Sequence, residues 1–132
     1  MSNLQISLIY SFEVFEQRHI SCDLLLLSEL EELIELTYRN NLDLRFYSQR
    51  LNISERRLNR FTAKTFGKTV YELIQDRVHE DAIRLLEYTS IPVKLIALDL
   101  GVCDAAYFSR CFKKKTGLSP REYRKTIRIN RI

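Results

Sequence analysis

Glycine and proline are scarce in this chain of 132 residues, with three and two copies respectively, and tryptophan is absent. Few positions can therefore break a helix. Apolar residues make up 45% of the sequence, and the length is sufficient for one domain with a buried core. The composition predicts a compact, mostly helical domain.

Metal-binding and redox-active side chains are also rare. The three cysteines, Cys22, Cys103 and Cys111, are odd in number and too widely spaced for a CxxC site, and only His19 and His79 could join them. No phosphate-binding glycine loop or grouping of nucleophile, base and orienting residue is recognisable. We therefore expect reduced thiols, no metal, no cofactor and no enzymatic activity.

No apolar run approaches the roughly 18 to 20 residues of a membrane-spanning helix. The N-terminus also lacks the basic segment and apolar run of a signal peptide. These two absences predict a cytoplasmic protein with no membrane partner.

The charge is divided unevenly along the chain. Residues 1–40 contain two basic and seven acidic residues, whereas residues 41–132 contain nineteen basic and ten acidic residues. The net charges are thus −5 and +9. A segment with such a positive excess attracts polyphosphate without regard to sequence, and the charge alone would also fit RNA or an anionic membrane.

The first 27 residues predict a separate N-terminal segment. Apolar and polar residues alternate over 4–14, which is typical of a β-strand. A single strand needs a partner, and three remain open: a hairpin strand around 15–27, a second copy of the chain, or the helical body. Pairing with a second copy would make the N-terminal segment a dimer interface.

A helix is predicted over 28–40, because Ser28 and Glu31 have the spacing of a capping box and are followed by apolar residues at helical intervals. Its glutamates suit the positive end of the helix dipole but would be repelled by phosphates. This helix should lie away from nucleic acid or pack against a protein.

Capping residues and apolar periodicity predict six further helices. Asp43, Ser54, Thr69, Asp104 and Ser119 are N-cap candidates, the third and the last within capping boxes with Glu72 and Glu122, and Gly67 and Gly117 mark helix ends. The predicted helices cover 44–51, about 55–66, 69–88, about 91–100, about 105–116 and 119–128. Their expected inward residues are Leu44, Tyr47 and Leu51; Leu58, Phe61 and Thr65; Ile91, Leu95, Ile96 and Leu100; and Phe108, Cys111 and Phe112.

Part of this pattern occurs twice. Leu58-Asn59-Arg60 and Gly67 recur fifty residues later as Phe108-Ser109-Arg110 and Gly117. The preceding turns are also similar, with one residue inserted in the second. This repeat predicts a duplicated helix-turn-helix unit.

The segment AYFSRCFKKKTGLSPREYR at residues 106–124 resembles the C-terminal signature of the AraC/XylS family of bacterial transcription regulators, and the similarity extends over about 42–125. It implies a mostly α fold in which seven helices carry two helix-turn-helix motifs joined by a long helix. The implied DNA-binding domain covers 28–132, with motifs at about 43–66 and 92–116, the linker helix at 69–88 and the final helix at 119–128.

The resemblance also implies a partner, double-stranded DNA, and a function, transcription regulation. RNA polymerase is the expected protein partner because members of the family are mostly activators. The implied base-reading residues are Arg56, Asn59, Arg60, Ala105, Ala106 and Arg110. The expected contacts to the DNA backbone are Ser54, Arg57, Lys64, Lys113 and Lys114. Alanine can offer only apolar contact with thymine methyl groups, so we expect the first motif to supply more of the selectivity.

Two questions stay open at this point. The acidic N-terminal part could make the chain a protein-interaction module that binds a sister regulator or RNA polymerase and has only non-specific affinity for DNA. Arg77 of the linker helix could bind a phosphate or an internal acid such as Asp76 or Asp99.

Overall fold

The computed structural model describes residues 22–130, which form seven α-helices. Residues 22–37 form α1, which continues into a 3-10 turn at Tyr38–Asn40. The other helices are α2 (Leu44–Leu51), α3 (Glu55–Phe66), α4 (Val70–Tyr88), α5 (Val93–Asp99), α6 (Ala105–Thr116) and α7 (Pro120–Asn130). The described part contains no β-strand, and the strand expected over 4–14 lies outside it.

The helices begin where the capping residues predict. The side chains of Asp43, Ser54, Thr69 and Asp104 each accept a hydrogen bond from a backbone N–H in the first turn of the next helix. At the start of α7, Ser119 and Glu122 form a reciprocal capping box, with N–O distances of 3.0 and 3.1 Å. These contacts satisfy N–H groups that have no partner within their own helix.

The predicted start of the first helix is wrong. Residues 22–37 are continuously helical, so Ser28 is an exposed residue inside α1 and not its N-cap. The four leucines at 24–27 explain the difference, because leucine is a strong helix former and extends the helix through the serine. Residues 22–27 therefore do not form the strand of the hairpin considered above.

The core surrounds α4. Its buried face includes Ile74, Val78, Ala82 and Leu86, and buried residues from the other helices pack with it. These residues are Leu30 and Ile34 from α1, Tyr47 from α2, Leu58 from α3, Ile96 and Ala97 from α5, and Phe108 and Phe112 from α6. Both halves of the repeat thus share one hydrophobic core.

Four residues expected to face inward are exposed: Thr65, Ile91, Leu95 and Cys111. In α3 and α6 the buried stripe follows a spacing of four, through Leu58 and Thr62 and through Phe108 and Phe112, which turns Thr65 and Cys111 outward. Helix α5 begins only at Val93, so Ile91 precedes it. The burial of Ile96 and Ala97 places Leu95 on the outer side.

A buried carboxylate joins α1 to α4. Asp81 is 1% exposed and accepts hydrogen bonds from the Tyr38 hydroxyl at 2.8 Å, from Arg39 at 2.6 Å and from Arg84 at 2.6 and 3.0 Å. Burial alone would raise the pKa of Asp81, but these three donors outweigh burial and lower the pKa to about 2. The carboxylate is therefore ionised at neutral pH and fully hydrogen-bonded.

None of the helices in the described region combines the length and apolar character needed to cross a lipid bilayer.

Candidate nucleic-acid interface

The two helix-turn-helix units have the same backbone hydrogen bonds in their turns. In the first turn, Asn52 N–H donates to the Gln49 carbonyl and Ile53 N–H donates to the Ser48 carbonyl. In the second, Gly101 N–H donates to the Leu98 carbonyl and Val102 N–H donates to the Ala97 carbonyl. In each turn these two hydrogen bonds together form a Schellman motif.

Each motif places one residue in the left-handed conformation, Asn52 with φ 54° and Gly101 with φ 82°. Between this residue and the N-cap of the next helix, the first turn contains only Ile53, whereas the second contains Val102 and Cys103. The duplication predicted from sequence is therefore present in the backbone, and α3 and α6, each of 12 residues, occupy equivalent positions.

Helix α3 carries a basic exposed side. Arg56, Arg60 and Lys64 recur at intervals of four and are all exposed, as is Arg57. The Ser54 hydroxyl accepts a hydrogen bond from Arg57 N–H at 3.2 Å, so it serves as the helix cap. Helical spacing places Arg56, Arg60 and Lys64 on one side of the helix, away from the buried residues Leu58 and Thr62.

Asn59 has an internal partner that the sequence did not indicate. Its side-chain oxygen accepts a hydrogen bond from Val70 N–H at 3.1 Å, at the first residue of α4. Thr69 accepts from Glu72 N–H in the same turn, so Asn59 and Thr69 together satisfy two free donors of α4. A paired contact with adenine would require this oxygen to leave Val70.

Helix α6 also presents a basic side. Arg110, Lys113 and Lys114 are exposed, Ala106 is exposed, and Ala105 is half-buried. The Arg110 guanidinium carbon lies 5.9 Å from the centroid of the Tyr107 ring, a cation–π contact that leaves its N–H donors free for other partners. The helix contains no acidic residue.

Salt bridges distinguish five basic residues of the described chain from the cations expected to contact DNA. Arg39, Lys68, Arg77, Arg84 and Lys115 each form a salt bridge with an aspartate or glutamate. Within residues 22–130, no salt bridge involves Arg56, Arg57, Arg60, Lys64, Arg110, Lys113 or Lys114. Apart from Lys115, the cations of α3 and α6 are thus available for an external anion.

Arg77 pairs with neither of the acids considered from the sequence, Asp76 and Asp99. Its guanidinium forms a bidentate contact with Glu35 of α1, at 2.7 and 2.8 Å, and its central carbon lies 4.4 Å from the Tyr38 ring centroid. The hydrogen bond from Arg77 lowers the pKa of Glu35. Asp76 instead contacts Lys68 and, at 2.7 Å, Lys115, while Asp99 lies 3.3 Å from Arg39. Arg77 therefore fastens α1 to α4.

The C-terminal end of α1 contacts both helix-turn-helix units. Thr37 shares a hydrogen bond of 2.8 Å with the Tyr47 hydroxyl in the first unit. In the second unit, Gly101 packs against the Arg39 carbonyl so closely that a Cβ there would lie 2.1 Å from its oxygen. Glycine is required at this position both by the positive φ and by the lack of space.

Comparisons with known proteins agree with this architecture. A family model described as a helix-turn-helix domain matches residues 47–126. The arabinose operon regulatory protein of Escherichia coli (strain K12) is 34% identical over 85 residues, which cover 64% of this chain and 29% of that protein. The uncharacterised HTH-type transcriptional regulator YfiF of Bacillus subtilis (strain 168) is 30% identical over 98% of this chain and 42% of its own length.

Among solved structures, the C-terminal domain of AraT, a response regulator from Geobacillus stearothermophilus, superposes with a TM-score of 0.72 at 30% identity, covering 76% of this chain and 84% of that domain. The chain spans less than half the length of the curated relatives described above. The matched family model covers most of the chain, including the second helix-turn-helix unit and the first unit from Tyr47 onward. This protein therefore belongs to the AraC/XylS family of helix-turn-helix transcription regulators.

Proposed function

We propose that this chain binds double-stranded DNA with sequence preference and places α3 and α6 in successive major grooves on one side of the duplex. The observation that carries the proposal is the combination of two equivalent turns with basic helices on which every arginine and lysine except Lys115 lacks a salt bridge to residues 22–130. A helix fits the major groove, and arginine can donate two hydrogen bonds to guanine. Unpaired lysines can neutralise phosphates.

The length of α4 supports simultaneous contact by both units. Its 19 residues span about 28 Å at 1.5 Å per residue. Recognition elements that read successive major grooves on one face of B-DNA are separated by about 34 Å. A continuous helix of this length is suitable for holding two reading helices near that separation within one chain.

The two reading helices differ in sequence, which favours an asymmetric DNA site. At the start of α3 stand Glu55, Arg56 and Arg57, whereas α6 begins with Ala105 and Ala106. We assign base reading to Arg56, Arg60, Ala105, Ala106 and Arg110, with α3 supplying more of the selectivity. Ser54, Arg57, Lys64, Lys113 and Lys114 are assigned to the backbone.

For Asn59 we propose a more limited contact with DNA than for the other base-reading residues. Its side-chain NH₂ group can donate to a base acceptor while its oxygen remains bonded to Val70. The contact expected from sequence, which uses both atoms, would remove a cap from α4. We therefore propose that Asn59 positions α3 against α4 and donates at most one hydrogen bond to DNA.

Activation of transcription through RNA polymerase is the proposed outcome of binding. Relatives named as transcriptional activators include RhaS of Mannheimia succiniciproducens and AdaA of Bacillus subtilis, the second described as bifunctional with DNA repair activity. This chain covers 34% and 47% of those proteins, so their complete activities extend beyond the shared region.

Selection from a random duplex library, followed by sequencing, tests the proposal. We expect enrichment of a gapped, asymmetric site. Arg60→Ala should relax the preference at particular bases, each good pair being worth about 1 to 3 kcal/mol. Lys113→Ala should weaken all sequences alike and reduce the slope of log affinity against log salt by about one.

Lys125→Ala is the matched control, because it removes one exposed positive charge from α7 without altering either reading helix. It should leave base preference unchanged. Equal loss of specific and random binding by Arg60→Ala would contradict the assignment of base contacts.

An alternative function is favoured by α1, which exposes Leu24, Leu25 and Leu36 beside the glutamates at 29, 31 and 32. Such a helix suits a protein partner, such as a sister regulator or RNA polymerase. The library experiment separates the two functions, since salt-sensitive binding without an enriched sequence would favour the interaction module.

A further inference from the structure

An apolar groove with a volume of about 490 Å³ lies between α4 and α6. Its floor consists of buried Val78, Phe108 and Phe112, together with the half-buried His79, whose ring centroid is 5.1 Å from that of Phe112. The volume falls within the range of small-molecule sites, which are mostly apolar and carry a few polar groups at defined positions.

An ion pair joins α4 and α6 beside this groove. Lys115 of α6 contacts Asp76 of α4 at 2.7 Å. Tyr107 of α6 and Tyr71 of α4 both line the groove, and the interactions of the Tyr107 hydroxyl with Cys111 and Tyr71 raise the pKa of Tyr107 to about 12. The Lys115–Asp76 pair thus connects the two walls while space remains between them.

The charges on the rim favour an anion at one end. Lys114 and Lys115 both line the groove, and Lys114 forms no salt bridge with any residue of 22–130. Glu72 is the acid that lines the groove, and it lies close enough to Lys68 to help Asp76 raise the pKa of that lysine. Burial, followed by the charge of Lys115, lowers the pKa of His79, which favours the neutral ring.

We propose that this groove is a binding site for a flat, aromatic monocarboxylate. The aromatic side chains of the floor and rim offer stacking and edge contacts to a planar ring. The Lys114 ammonium group provides a charge-assisted hydrogen bond for the carboxylate. An aliphatic chain would fill a similar volume but would not use the ring contacts. A cation would face Lys114 and Lys115 at close range.

Cys111 provides a direct measure of occupancy because its exposed thiol lines the groove. The chain carrying Cys22→Ser and Cys103→Ser retains it as the single thiol. The rate of its alkylation by N-ethylmaleimide would be measured with increasing 2-naphthoate, and with the uncharged 2-naphthamide and cationic 2-naphthylmethylamine as comparators. DNA is absent throughout, so the result is independent of the proposed function.

We expect 2-naphthoate to slow the alkylation at least fivefold in a saturable manner, and the amide to need at least a threefold higher concentration. Lys114→Gln should remove this preference for the acid. The matched variant Lys94→Gln, which removes the charge of an exposed residue on α5, should retain this preference. The helical circular dichroism signal of each variant checks that it is folded.

Two results would overturn the inference. Absence of protection by 2-naphthoate in the folded protein would show that the groove does not take an aromatic acid. Equal protection by all three compounds, unaffected by Lys114→Gln, would show that any apolar molecule adheres there and that the rim cation has no role.

Discussion

Replacing Asp81 with asparagine should destabilise the fold in a manner that depends on pH. The side chain is almost completely buried, and Tyr38, Arg39 and Arg84 all donate to its two oxygens. Asparagine preserves the size of the side chain and one acceptor oxygen. It removes the charge and directs an NH₂ group towards cationic donors, so the donors opposite it lose their partner.

The shift in pKa gives the size of the effect. The pKa of Asp81 falls from 3.8 to about 2 on folding, and each unit corresponds to 1.36 kcal/mol, so the ionised form contributes about 2 kcal/mol to the free energy of unfolding. Because the folded pKa is the lower one, this contribution is complete above the unfolded pKa. It is lost as the pH falls towards 2, and about a third remains at pH 2.5.

Urea denaturation followed by circular dichroism measures this difference between Asp81→Asn and the unaltered protein at pH 7 and pH 2.5. The control is Asp99→Asn. Asp99 also pairs with Arg39, but its side chain is 57% exposed, so it should contribute less than about 1 kcal/mol to the free energy of unfolding. Equal stability of Asp81→Asn and the unaltered protein at pH 7, or a gap that persists undiminished at pH 2.5, would refute the reasoning.

Three further predictions concern other contacts. Gly101→Ala should lower the free energy of unfolding, measured by thermal denaturation, by more than about 2 kcal/mol because the new Cβ would clash with the Arg39 carbonyl. Gly117→Ala, with no atom within 4 Å of the added Cβ, should lose only about 1 to 2 kcal/mol from backbone strain, and equal losses would contradict this. Glu35→Gln should lower stability less than Asp81→Asn does, and the loss should vanish in 1 M NaCl; a salt-independent loss would argue against the ion pair with Arg77. Asn59→Asp should keep the melting temperature within a few degrees, because a carboxylate still accepts from Val70 N–H. Asn59→Leu should lower the free energy of unfolding by about 1 kcal/mol, and equal melting temperatures of the two variants would show that the cap is not needed.

The sequence predicted five helix starts from local caps, although the equally local Ser28–Glu31 pair lies inside α1 and marks no helix start. Asp43, Ser54, Thr69, Asp104 and the Ser119–Glu122 box all occupy the expected helix starts. Such contacts join residues two or three positions apart, so a single sequence contains all the information they require. The repeat was equally accessible, since it can be seen by aligning the chain with itself.

Contacts between distant residues could not be predicted in the same way. The partner of Arg77 is 42 positions away, and the bond from Val70 N–H to Asn59 links two helices. Cys111 and Phe112 both fit a helical stripe three or four residues after Phe108, and only packing against α4 selects Phe112 for the core. For Gly101, the glycine itself was a signal of a close approach, but its neighbour at Arg39 was not visible.

The region matched by the family model and the region that folds together have different boundaries in this chain. The matched family model begins at residue 47, after Thr37, Tyr38 and Arg39. A fragment cut at that point would keep every residue assigned to DNA. It would also leave Asp81 with Arg84 as its only remaining donor and uncover the backbone of Gly101. The smallest independently stable piece should thus include α1. Recombination that exchanged only residues 47–126 would separate the two helix-turn-helix units from the segment that packs against both of them.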